Sequence, residues 1–542
     1  MRTLVIGGGA AGASAAARLR RLDDNMEIII LEATDEISIA NCGLPYYCSN
    51  VINSRQKMIV SSTKRFKDLL NIEVRLNSKV TKINRKEKTV VINNSETINY
   101  DKLILTPGAN PVIPNVKGIN HPNIFTVRTL RNADDIKSVL ARDAKNAVVI
   151  GGGFIGVEMA ENFVHLGLNT TLVELSSQIL APVDTEIAAH AQNEMRRKGV
   201  NLLLSDGLKE VDGSDIVLNS GKRIPFDIAI LAIGVRPETT LAKECGLKIG
   251  ALGGVKVDKN MRTSDKHIFA AGDSVEVEDF VSDKDTLIPL AGPANRQGRI
   301  IADNIKGIKS TYKKTQGSAV VKVFDLTVAN VGNNEKQLLK SGQKYLKTFI
   351  IKPSHAGYYP DATPTLYKLL FTQKGEILGA QACGYEGVEK RIDVIATIMR
   401  NNGTICDMLD SELCYAPPYS SAKDPVNMMG MHAENIINGF VKPAFYNDLK
   451  DSVLVDIREQ GSFDSTIEAS VNIPTSQIRG RLNEIPKDKK VVLFCNTGFQ
   501  SYVASRILLQ KGYTNVYSLS GGIELYHILK ENEKAEKELT LV

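Results

Sequence analysis

Two copies of a strand, glycine turn, helix and strand constrain the fold of this chain more than any other feature. The first copy begins with the apolar segment TLVIG and ends with the strand EIIILE, whose last residue is Glu32. Its turn has the pattern G-x-G-x-x-G and consists of Gly7, Gly8, Gly9, Ala10, Ala11 and Gly12. Glycines at these positions permit a tight turn, a close approach of the backbone to a pyrophosphate, and packing of the helix on the strand. Because a helix N terminus attracts anions and a terminal acid can accept hydrogen bonds from a ribose, the pattern predicts a dinucleotide site.

The second copy lies in AVVIGGGFIGVEMAENFVHLG and the strand NTTLVEL that follows. It repeats the glycines as Gly151, Gly153 and Gly156, and the terminal acid as Glu174. Two such units predict two dinucleotides. An acid without an adjacent Arg favours NADH over NADPH, because a 2′-phosphate would meet the Glu174 carboxylate.

Shorter segments around these units have the pattern of strands that run into glycine turns: DKLILTPGANP, DIAILAIGVRPE, and HIFAAGDS, which contains Asp273. Their order favours crossings between domains over ordinary strand ends. Residues 320–440 carry no nucleotide motif, and a polar linker is predicted near 442–452. Beyond it lies a compact α/β module of about a hundred residues. The charged segment KENEKAEKE near the end predicts a solvated helix or a frayed tail.

Composition excludes several other classes of protein. At about 150 residues per domain, 542 residues predict three to four domains. With 43% apolar and 24% charged residues, the chain has the composition of a globular protein, and a net charge of +6 does not predict nucleic-acid binding. Three consecutive glycines interrupt the apolar N-terminal segment, so no signal peptide is predicted, and no apolar stretch elsewhere is long enough to predict a membrane span. Seven scattered cysteines without zinc-type pairing predict no metal site and no disulfide scaffold, and hence a reducing cytoplasm.

The two nucleotide motifs, together with Cys42 in SIANCGLPYY, make the first 440 residues resemble the two-dinucleotide disulfide reductase superfamily of flavoproteins. The resemblance is to its single-cysteine branch, which includes coenzyme A-disulfide reductases and NADH peroxidases or oxidases. The segment VVLFCNTGFQS makes residues 450–530 resemble a rhodanese domain. The combination is similar to coenzyme A-disulfide reductases fused to rhodanese, also described as NADH-dependent persulfide reductases.

The resemblance implies an α/β protein with two Rossmann-like dinucleotide-binding domains, an α+β dimerisation domain and a C-terminal α/β rhodanese domain. It implies a homodimer, FAD bound by the first glycine turn with Glu32 and Asp273, and NADH bound by the second turn with Glu174. The implied ranges are 1–110 and 255–320 for the FAD domain, 111–254 for the NADH domain, 321–441 for the dimerisation domain, 442–452 for the linker and 453–542 for the rhodanese domain.

Cys42 is the candidate redox residue. The resemblance places it against the flavin, where a thiolate is needed, so its pKa is predicted to fall below about 8.5, helped by a nearby helix N terminus. Related reductases use a second cysteine five positions on; here the next is Cys48, six positions on, which is predicted to be structural. The redox partner must then come from outside the chain, as a coenzyme A thiol or a sulfenic acid oxygen. The alternative for Cys42 is a buried small hydrophobe.

The first helix predicts a site for phosphate groups. Ser14, Arg18 and Arg21 fall at i, i+4 and i+7 and share one face. Two arginines there could bind the phosphates of coenzyme A by charge-assisted bonds, whereas the alternative is a solvated helix face. The resemblance implies coenzyme A contacts for these positions and for three more: Ser38, Asn41 and Lys423.

Tyrosines provide a second argument about the substrate. Coenzyme A-disulfide reductases have two catalytic tyrosines contributed by the partner subunit, and by this resemblance Tyr359 and Tyr415 match best, with Tyr358 and Tyr419 as close alternatives. A phenol near a leaving thiolate could donate a proton or a hydrogen bond. The alternative is aromatic packing at a dimer interface. Peroxidase relatives use a histidine near the N-terminal helix, and residues 7–22 contain none, which argues against peroxide as the main substrate.

Cys495 is the second candidate nucleophile. A buried strand is predicted to deliver it into a six-residue loop, Cys495 to Gln500, that ends at a helix starting near Ser501. Backbone N–H groups of the loop would then surround the sulfur and stabilise a thiolate and a persulfide. A rhodanese usually has Arg where Gln500 stands, so thiosulfate is a doubtful donor. The alternative is a degenerate regulatory module.

These observations lead to a hypothesis of an NADH-driven flavoenzyme that reduces coenzyme A disulfide, coenzyme A persulfide or polysulfide through Cys42. Cys495 would accept sulfane sulfur and hand it to Cys42 through coenzyme A. Two rivals stay open: an NADH peroxidase or oxidase in which Cys42 cycles through sulfenic acid, and a redox sensor or sulfur carrier with little flavin turnover.

Overall fold

The computed structural model describes residues 1–461 and 465–540. These residues form two compact units. The first consists of Met1–Ser177 and Gly199–Gly317, and the second of Gln178–Lys198 and the described residues from Ser318 onward. Within the described part of the chain, every helix is too short or too polar to cross a bilayer.

The helices and strands follow one another in alternation along most of the chain. Residues 1–125 contain β1 (Arg2–Ile6), α1 (Ala10–Leu22), β2 (Glu27–Leu31), α2 (Leu44–Cys48), α3 (Thr63–Leu70), β3 (Glu73–Arg75), β4 (Val80–Asn84), β5 (Thr89–Ile92), β6 (Glu96–Asn99), β7 (Lys102–Leu105), β8 (Ala109–Pro111) and β9 (Ile124–Phe125). Residues 126–317 contain α4 (Leu130–Leu140), β10 (Asn146–Ile150), α5 (Phe154–His165), β11 (Asn169–Val173), α6 (Thr185–Arg197), β12 (Asn201–Leu203), β13 (Leu208–Asp212), β14 (Asp215–Leu218), β15 (Arg223–Pro225), β16 (Ile228–Leu231), β17 (Val235–Pro237), α7 (Thr240–Glu244), β18 (Val255–Lys256), β19 (Ile268–Ala270), β20 (Val275–Glu278), β21 (Asp285–Thr286) and α8 (Ala291–Ile305). The remaining residues contain β22 (Ala319–Val323), β23 (Leu326–Gly332), α9 (Glu335–Ser341), β24 (Leu346–Pro353), β25 (Pro364–Phe371), β26 (Ile377–Gly384), α10 (Val388–Arg400), α11 (Ile405–Asp410), α12 (Pro425–Ile437), β27 (Pro443–Ala444), β28 (Val453–Asp456), β29 (Val471–Asn472), β30 (Val491–Phe494), α13 (Phe499–Gln510), β31 (Val516–Leu519) and α14 (Gly522–Thr540).

Two parallel five-stranded sheets dominate the first unit, as the two glycine motifs predict. Their strand orders are β19-β7-β1-β2-β3 and β12-β11-β10-β16-β9. In each sheet the strand before the glycine turn is central and apolar, because helices cover both faces of a parallel sheet. Strands β7 and β16, which the sequence predicts, each lie next to the central strand of their sheet. Smaller sheets, β4-β5-β6, β13-β14-β15, β18-β20-β21 and β17-β8, flank them in the chain.

The second unit contains an antiparallel sheet of order β22-β23-β26-β25-β24. Helix α6 packs on this sheet, although its residues fall within the range 111–254 implied for the NADH-binding domain. A fully buried ammonium group fastens it: Lys368 Nζ on β25 lies 3.0 Å from Asp184 and 2.7 Å from Glu186, and it also bonds to Glu335. Opposite charges satisfy one another there, as a buried ion requires.

A parallel sheet of order β27-β31-β30-β28-β29 forms the C-terminal part of the second unit. Strand β27 pairs with β31, so the range predicted as a linker contains an edge strand of this sheet. Helix α14 corrects another expectation. Its charged segment is not simply solvated, because Asn532 is buried and accepts hydrogen bonds from Gln192 and Arg196 of α6. With two parallel nucleotide-type sheets, an antiparallel sheet and a parallel C-terminal sheet, the architecture confirms the predicted α/β fold class.

Candidate functional site

The first glycine turn lies between β1 and α1. Gly7 has a φ of +94°, and a Cβ atom at Gly12 would overlap the carbonyl oxygen of Gly7, so both positions require glycine. Gly9, which caps α1, has open space around it, and the helix has neither a capping side chain nor an acid in its first turn. The N–H groups at this helix end therefore fit a pyrophosphate. Ala10 and Ala11, the first residues of α1, contribute to the same end.

The Glu32 carboxylate is oriented by the backbone beside this turn. One oxygen accepts a hydrogen bond from the N–H of Gly8 at 2.8 Å, and the other accepts one from the N–H of Thr34 at 3.0 Å. Each carboxylate oxygen has more than one lone pair. The fixed carboxylate therefore fits the role predicted for it, as an acceptor for the ribose hydroxyls of a dinucleotide.

Asp273 lies in a short 3₁₀ helix, Gly272–Ser274, which follows β19. Burial raises the pKa of Asp273, and the guanidinium of Arg128 opposes that rise. Burial likewise lowers the pKa of Arg128, against the attraction of Asp273 and Glu32. Arg128 thus lies within electrostatic reach of both acids predicted to bind FAD. Sequence reasoning missed it because FTVRTL carries no motif.

The second glycine turn repeats this geometry between β10 and α5. A Cβ atom at Gly156 would overlap the carbonyl oxygen of Gly151, and Gly153 has open space around it. Glu174 accepts hydrogen bonds from the N–H of Gly152 and from the N–H of Ser176, both at 2.7 Å. The residues present therefore fit two dinucleotides, one at each turn.

Cys42 lies in a 3₁₀ helix, Asn41–Gly43, immediately before α2. The side chain is exposed, but surrounding atoms partly desolvate the sulfur, and this together with the carboxylates of Glu158 and Asp273 raises the pKa of Cys42. The prediction that the chain itself lowers this pKa is wrong. The helix that follows has only five residues, so its dipole is small, and the two carboxylates oppose a thiolate.

Tyr46 and Glu158 interact electrostatically with Cys42, and the sequence analysis predicts a role for neither of them. The Tyr46 hydroxyl donates a hydrogen bond to Glu158 Oε1 at 3.2 Å. Burial raises the pKa of Glu158 to about 7, with the Tyr46 bond lowering it and Glu161 raising it. Nothing in the sequence signalled this pair, although Glu158 stands in the second glycine helix. Cys48, in contrast, is buried, and desolvation raises its pKa to about 12, which fits the structural role predicted for it.

Some of the residues predicted to bind coenzyme A in the first unit already have protein partners for their polar groups. Ser14 bonds to Asn295 of α8, and Arg18 Nε lies 2.9 Å from the buried carboxylate of Asp303, so part of its charge is already paired. Arg21 is exposed at the end of α1.

Two others, Ser38 and Asn41, lie near the first glycine turn or next to Cys42. Ser38 has a φ of +52°, and its N–H donates to the carbonyl of Gly8 at 3.2 Å. Asn41 directly precedes Cys42. The helix-face argument thus holds best for Arg21, and the role of the whole set stays a prediction.

The predicted tyrosines lie in the second unit. The Tyr415 hydroxyl forms a 2.7 Å hydrogen bond with Tyr358, which raises the pKa of Tyr415. Tyr359 instead packs edge-on against His355, with ring centroids 5.6 Å apart. The structure therefore pairs Tyr415 with Tyr358, the alternative candidate, and all of these phenols are exposed. Lys423 is exposed beside the N-cap of α12.

Cys495 follows β30 and is 2% exposed. Its Sγ accepts a hydrogen bond from the Gly498 N–H at 3.2 Å and lies 3.8 Å from Ser501 Oγ. Helix α13 begins at Phe499, two residues before the predicted start, and its N-cap Gly498 has a φ of +103° and no side-chain cap. The loop thus turns a backbone N–H toward the sulfur, which is the arrangement that stabilises a thiolate.

Gln500 lies exposed in the first turn of α13, where a rhodanese usually has Arg. Asp456 and Arg458 form a buried ion pair at 2.6 Å, and Arg458 also donates to Asn496 in the loop at 3.2 Å. These contacts fit a structural role for Asp456 and Arg458, which hold the end of β28 beside the Cys495 loop.

Comparison with known proteins covers nearly the whole chain. Residues 1–298 match the pyridine nucleotide-disulphide oxidoreductase family, residues 318–425 match its dimerisation domain, and residues 443–528 match a rhodanese-like domain. A coenzyme A disulfide reductase of Staphylococcus epidermidis is 33% identical over 442 residues, which is 80% of this chain and 100% of that protein.

Solved structures agree with these matches. The reduced CoADR-RHD of Bacillus anthracis has a TM-score of 0.96 and 47% identity, with 98% of each chain covered. An NAD-dependent persulfide reductase from A. fulgidus has a TM-score of 0.92 and 37% identity, covering 97% of this chain and 100% of that one. A water-forming NADH oxidase from Lactobacillus brevis is 26% identical with a TM-score of 0.78 and covers 81% of this chain and 99% of that one.

The resemblance inferred from the glycine motifs, Cys42 and the Cys495 loop is therefore confirmed, as are FAD and NADH as cofactors. The chain belongs to the pyridine nucleotide-disulphide oxidoreductase family and is an NAD(P)H-dependent flavoprotein disulfide/persulfide reductase with a C-terminal rhodanese-like domain.

Proposed function

We propose that this protein is a cytoplasmic homodimer that reduces coenzyme A disulfide, coenzyme A persulfide or polysulfide with NADH, through Cys42. The observation that carries the proposal is the contrast between two cysteines: Cys42 is exposed, whereas Cys48 is buried and its pKa is raised to about 12. Cys48 is therefore not the redox partner of Cys42. The sulfur partner must come from the substrate. The names of two relatives, coenzyme A disulfide reductase and persulfide reductase, support this class of substrate.

The first glycine turn, Glu32 and Asp273 would hold FAD, and the second turn with Glu174 would hold NADH. When bound, FAD conveys two electrons from NADH to sulfur. The Cys42 thiolate attacks one sulfur of the disulfide, a bond forms between Cys42 and that sulfur, and the second sulfur leaves as a thiolate. Two electrons split the new mixed disulfide into the Cys42 thiolate and a coenzyme A thiolate, and the latter takes up one proton and leaves as coenzyme A thiol.

Tyr415 would protonate the thiolate that leaves when Cys42 attacks the disulfide. Its hydrogen bond with Tyr358 raises its pKa, so the phenol stays protonated at neutral pH and can donate. We propose that it acts at the Cys42 site of the other subunit, together with Tyr359. Lys423 would hold a coenzyme A phosphate, with Ser14, Arg18, Arg21, Ser38 and Asn41 completing the binding set.

Cys495 would accept sulfane sulfur and pass it to coenzyme A. Two observations within the second unit support a link between its loop and Lys423. Lys352 Nζ lies 5.6 Å from the ring centroid of Phe499, and its pKa is lowered by burial and by Lys423. A cavity of about 40 Å³ lies beside the same loop and is lined in part by Lys352, Gly498 and Phe499. A coenzyme A molecule held by this basic edge could reach the Cys495 loop.

The proposal is tested by NADH consumption with five acceptors: coenzyme A disulfide, coenzyme A persulfide, polysulfide, hydrogen peroxide and oxygen. We expect the sulfur compounds to support the highest rates. Intact mass spectrometry of the oxidised protein should show one coenzyme A added, and this adduct should be absent from Cys42→Ser and retained in Cys48→Ser.

The water-forming NADH oxidase among the similar structures favours one second candidate, an NADH oxidase or peroxidase that uses a Cys42 sulfenic acid. In that case peroxide or oxygen would give the highest rate, and the oxidised protein would carry one added oxygen on Cys42. Negligible turnover with every acceptor would instead indicate a sensor or sulfur carrier.

A further inference from the structure

Helix α2 is held on α5 by polar contacts that fix Tyr46. The Tyr46 hydroxyl donates to Glu158 Oε1 at 3.2 Å. Ser49 at the end of α2 bonds to Asn162, and Asn162 in turn donates to the Glu158 carbonyl at 2.7 Å. Two anchor points, one turn apart on each helix, leave the phenol little freedom to rotate away from the carboxylate.

Tyr46 also stands one helical turn after Cys42. The 3₁₀ helix that contains Cys42 continues into α2 without a break, and residues four positions apart on a helix share a face. Electrostatics agrees with this placement, because Glu158 raises the pKa of Cys42 and Cys42 contributes to the raised pKa of Tyr46. The sulfur, the phenol and the carboxyl therefore form one group of interacting sites.

Three further charged residues act on Cys42, Glu158 or their neighbours. On α5, Glu161 is buried and disfavours the ionised form of Glu158. From the 3₁₀ helix after β19, Asp273 acts on Cys42, and Arg128 in turn offsets the charge of Asp273. Negative charge thus surrounds the site, so a second negative charge at Glu158 and Cys42 is disfavoured.

We propose that Glu158, through the Tyr46 hydroxyl, holds the proton that Cys42 gives up when it becomes a thiolate, and returns it when the sulfur is released. This rests on the redox role proposed above for Cys42. The step moves one proton and no electrons. The S–H bond of Cys42 breaks and its proton goes to the Tyr46 oxygen, while the Tyr46 proton that already points at Glu158 passes to the carboxylate. The negative charge thereby moves from Glu158 to the sulfur, and Tyr46 is a neutral phenol before and after. Glu158 is thus a positioning residue for the proton, acting through Tyr46.

The proposal predicts the pH profile of thiol alkylation in the reduced, FAD-loaded protein. Iodoacetamide is added across a pH series, and mass spectrometry of the Cys42 peptide measures the alkylation rate at that sulfur alone. Because two coupled groups titrate in two macroscopic steps, the wild type should show two steps, one of them near pH 7, where Glu158 titrates. In Glu158→Gln a single step should remain at lower pH, since the opposing charge is gone, and alkylation at pH 7 should be faster.

Three further variants control this experiment: one removes a carboxylate elsewhere in the protein, and two change Glu158 or Tyr46 conservatively. Glu244→Gln removes an exposed carboxylate from α7 and should leave the two-step profile unchanged. Glu158→Asp should restore two steps. Tyr46→Phe removes the bond that lowers the pKa of Glu158, so the step near pH 7 should move to higher pH even if Glu158→Gln does not fold.

Two failures are distinguishable. If the wild type and the variants of Glu158 and Tyr46 share one profile while Cys42→Ser has lost coenzyme A disulfide reduction, the proton-holding role is wrong and the reductase proposal stands. If Cys42→Ser reduces coenzyme A disulfide at the wild-type rate, the proposed function itself is wrong.

Discussion

At the scale of single residues, the same spatial demand explains both glycine turns. A side chain at Gly12 or Gly156 would overlap the carbonyl oxygen of the first glycine of its turn, whereas Gly9 and Gly153 face open space. Gly12 and Gly156 are therefore required by the packing of the turn itself, whereas Gly9 and Gly153 leave room for a dinucleotide pyrophosphate at the helix N terminus. Such requirements are local and recur at fixed spacing, which is why they could be predicted from sequence.

Gln500 is the residue whose identity most limits the donor used by the Cys495 loop. A guanidinium at this position would bind a sulfonate with two parallel charge-assisted bonds, which an amide cannot do. We expect Gln500→Arg to raise thiocyanate formation from thiosulfate and cyanide at least about tenfold, since one such bond contributes about 1.5–3 kcal/mol.

Gln500→Lys supplies charge without the planar fork and should gain less than Gln500→Arg. Adding Cys495→Ser to Gln500→Arg should remove the gain. Equal rates for Gln500→Arg and the wild type would show that this position does not govern the donor.

At the scale of elements, α6 and α14 are the helices whose surroundings the sequence did not predict. The amphipathic pattern of a helix reports that one face is covered but not by what. Helix α6 follows β11 in the chain yet packs in the second unit, where Gln192 and Arg196 bond to the buried Asn532 of α14. These contacts join segments more than three hundred residues apart, and no local pattern encodes them.

The buried ammonium of Lys368 should be the strongest single tether of α6. Lys368→Met leaves the carboxylates of Asp184, Glu186 and Glu335 without their shared counter-ion. Removing one partner of a buried ion pair typically costs about 3–5 kcal/mol, so we expect a loss of that size in the free energy of unfolding of the second unit. Urea titration followed by circular dichroism measures it, with exposed Lys374→Met as the control, which should change it by less than about 0.5 kcal/mol.

The same cluster predicts how the second unit responds to acid. Burial raises the pKa of Glu335, but the charge and hydrogen bond of Lys368 outweigh it and lower that pKa from 4.5 to about 2. Because the folded-state pKa is depressed, this contribution to stability is present above pH 4.5 and is lost as pH falls toward 2. Thermal melting between pH 6 and 3 should therefore fall more steeply for the wild type than for Glu335→Gln. Parallel curves would contradict the linkage.

At the scale of the whole molecule, motifs with fixed spacing were predictable and long-range contacts were not. The two nucleotide folds, the segment around Cys42 and the Cys495 loop can each be recognised from a pattern within about thirty residues of sequence. The predicted direction of the Cys42 pKa shift is wrong because burial and the carboxylates of Glu158 and Asp273 raise this pKa, and both acids lie more than a hundred residues away in the sequence. The sequence analysis names Tyr358 and Tyr415 as candidates, but no local pattern indicates the hydrogen bond between them, because they lie 57 residues apart.

We expect Cys42 to carry the reduction of coenzyme A disulfide and Cys495 to bind sulfane sulfur, and substitution of each cysteine by serine separates the two activities. Cys42→Ser should reduce NADH oxidation with coenzyme A disulfide to background, because a serine hydroxyl ionises far too weakly to attack sulfur, yet it should still bind radiolabelled sulfane sulfur at Cys495. Cys495→Ser should retain coenzyme A disulfide reduction and lose the bound label. Cys406→Ser, which removes an exposed thiol from α11, should alter neither property. If Cys495→Ser lowered coenzyme A disulfide reduction as far as Cys42→Ser does, the two sulfurs would belong to one catalytic cycle for that substrate rather than to two linked ones.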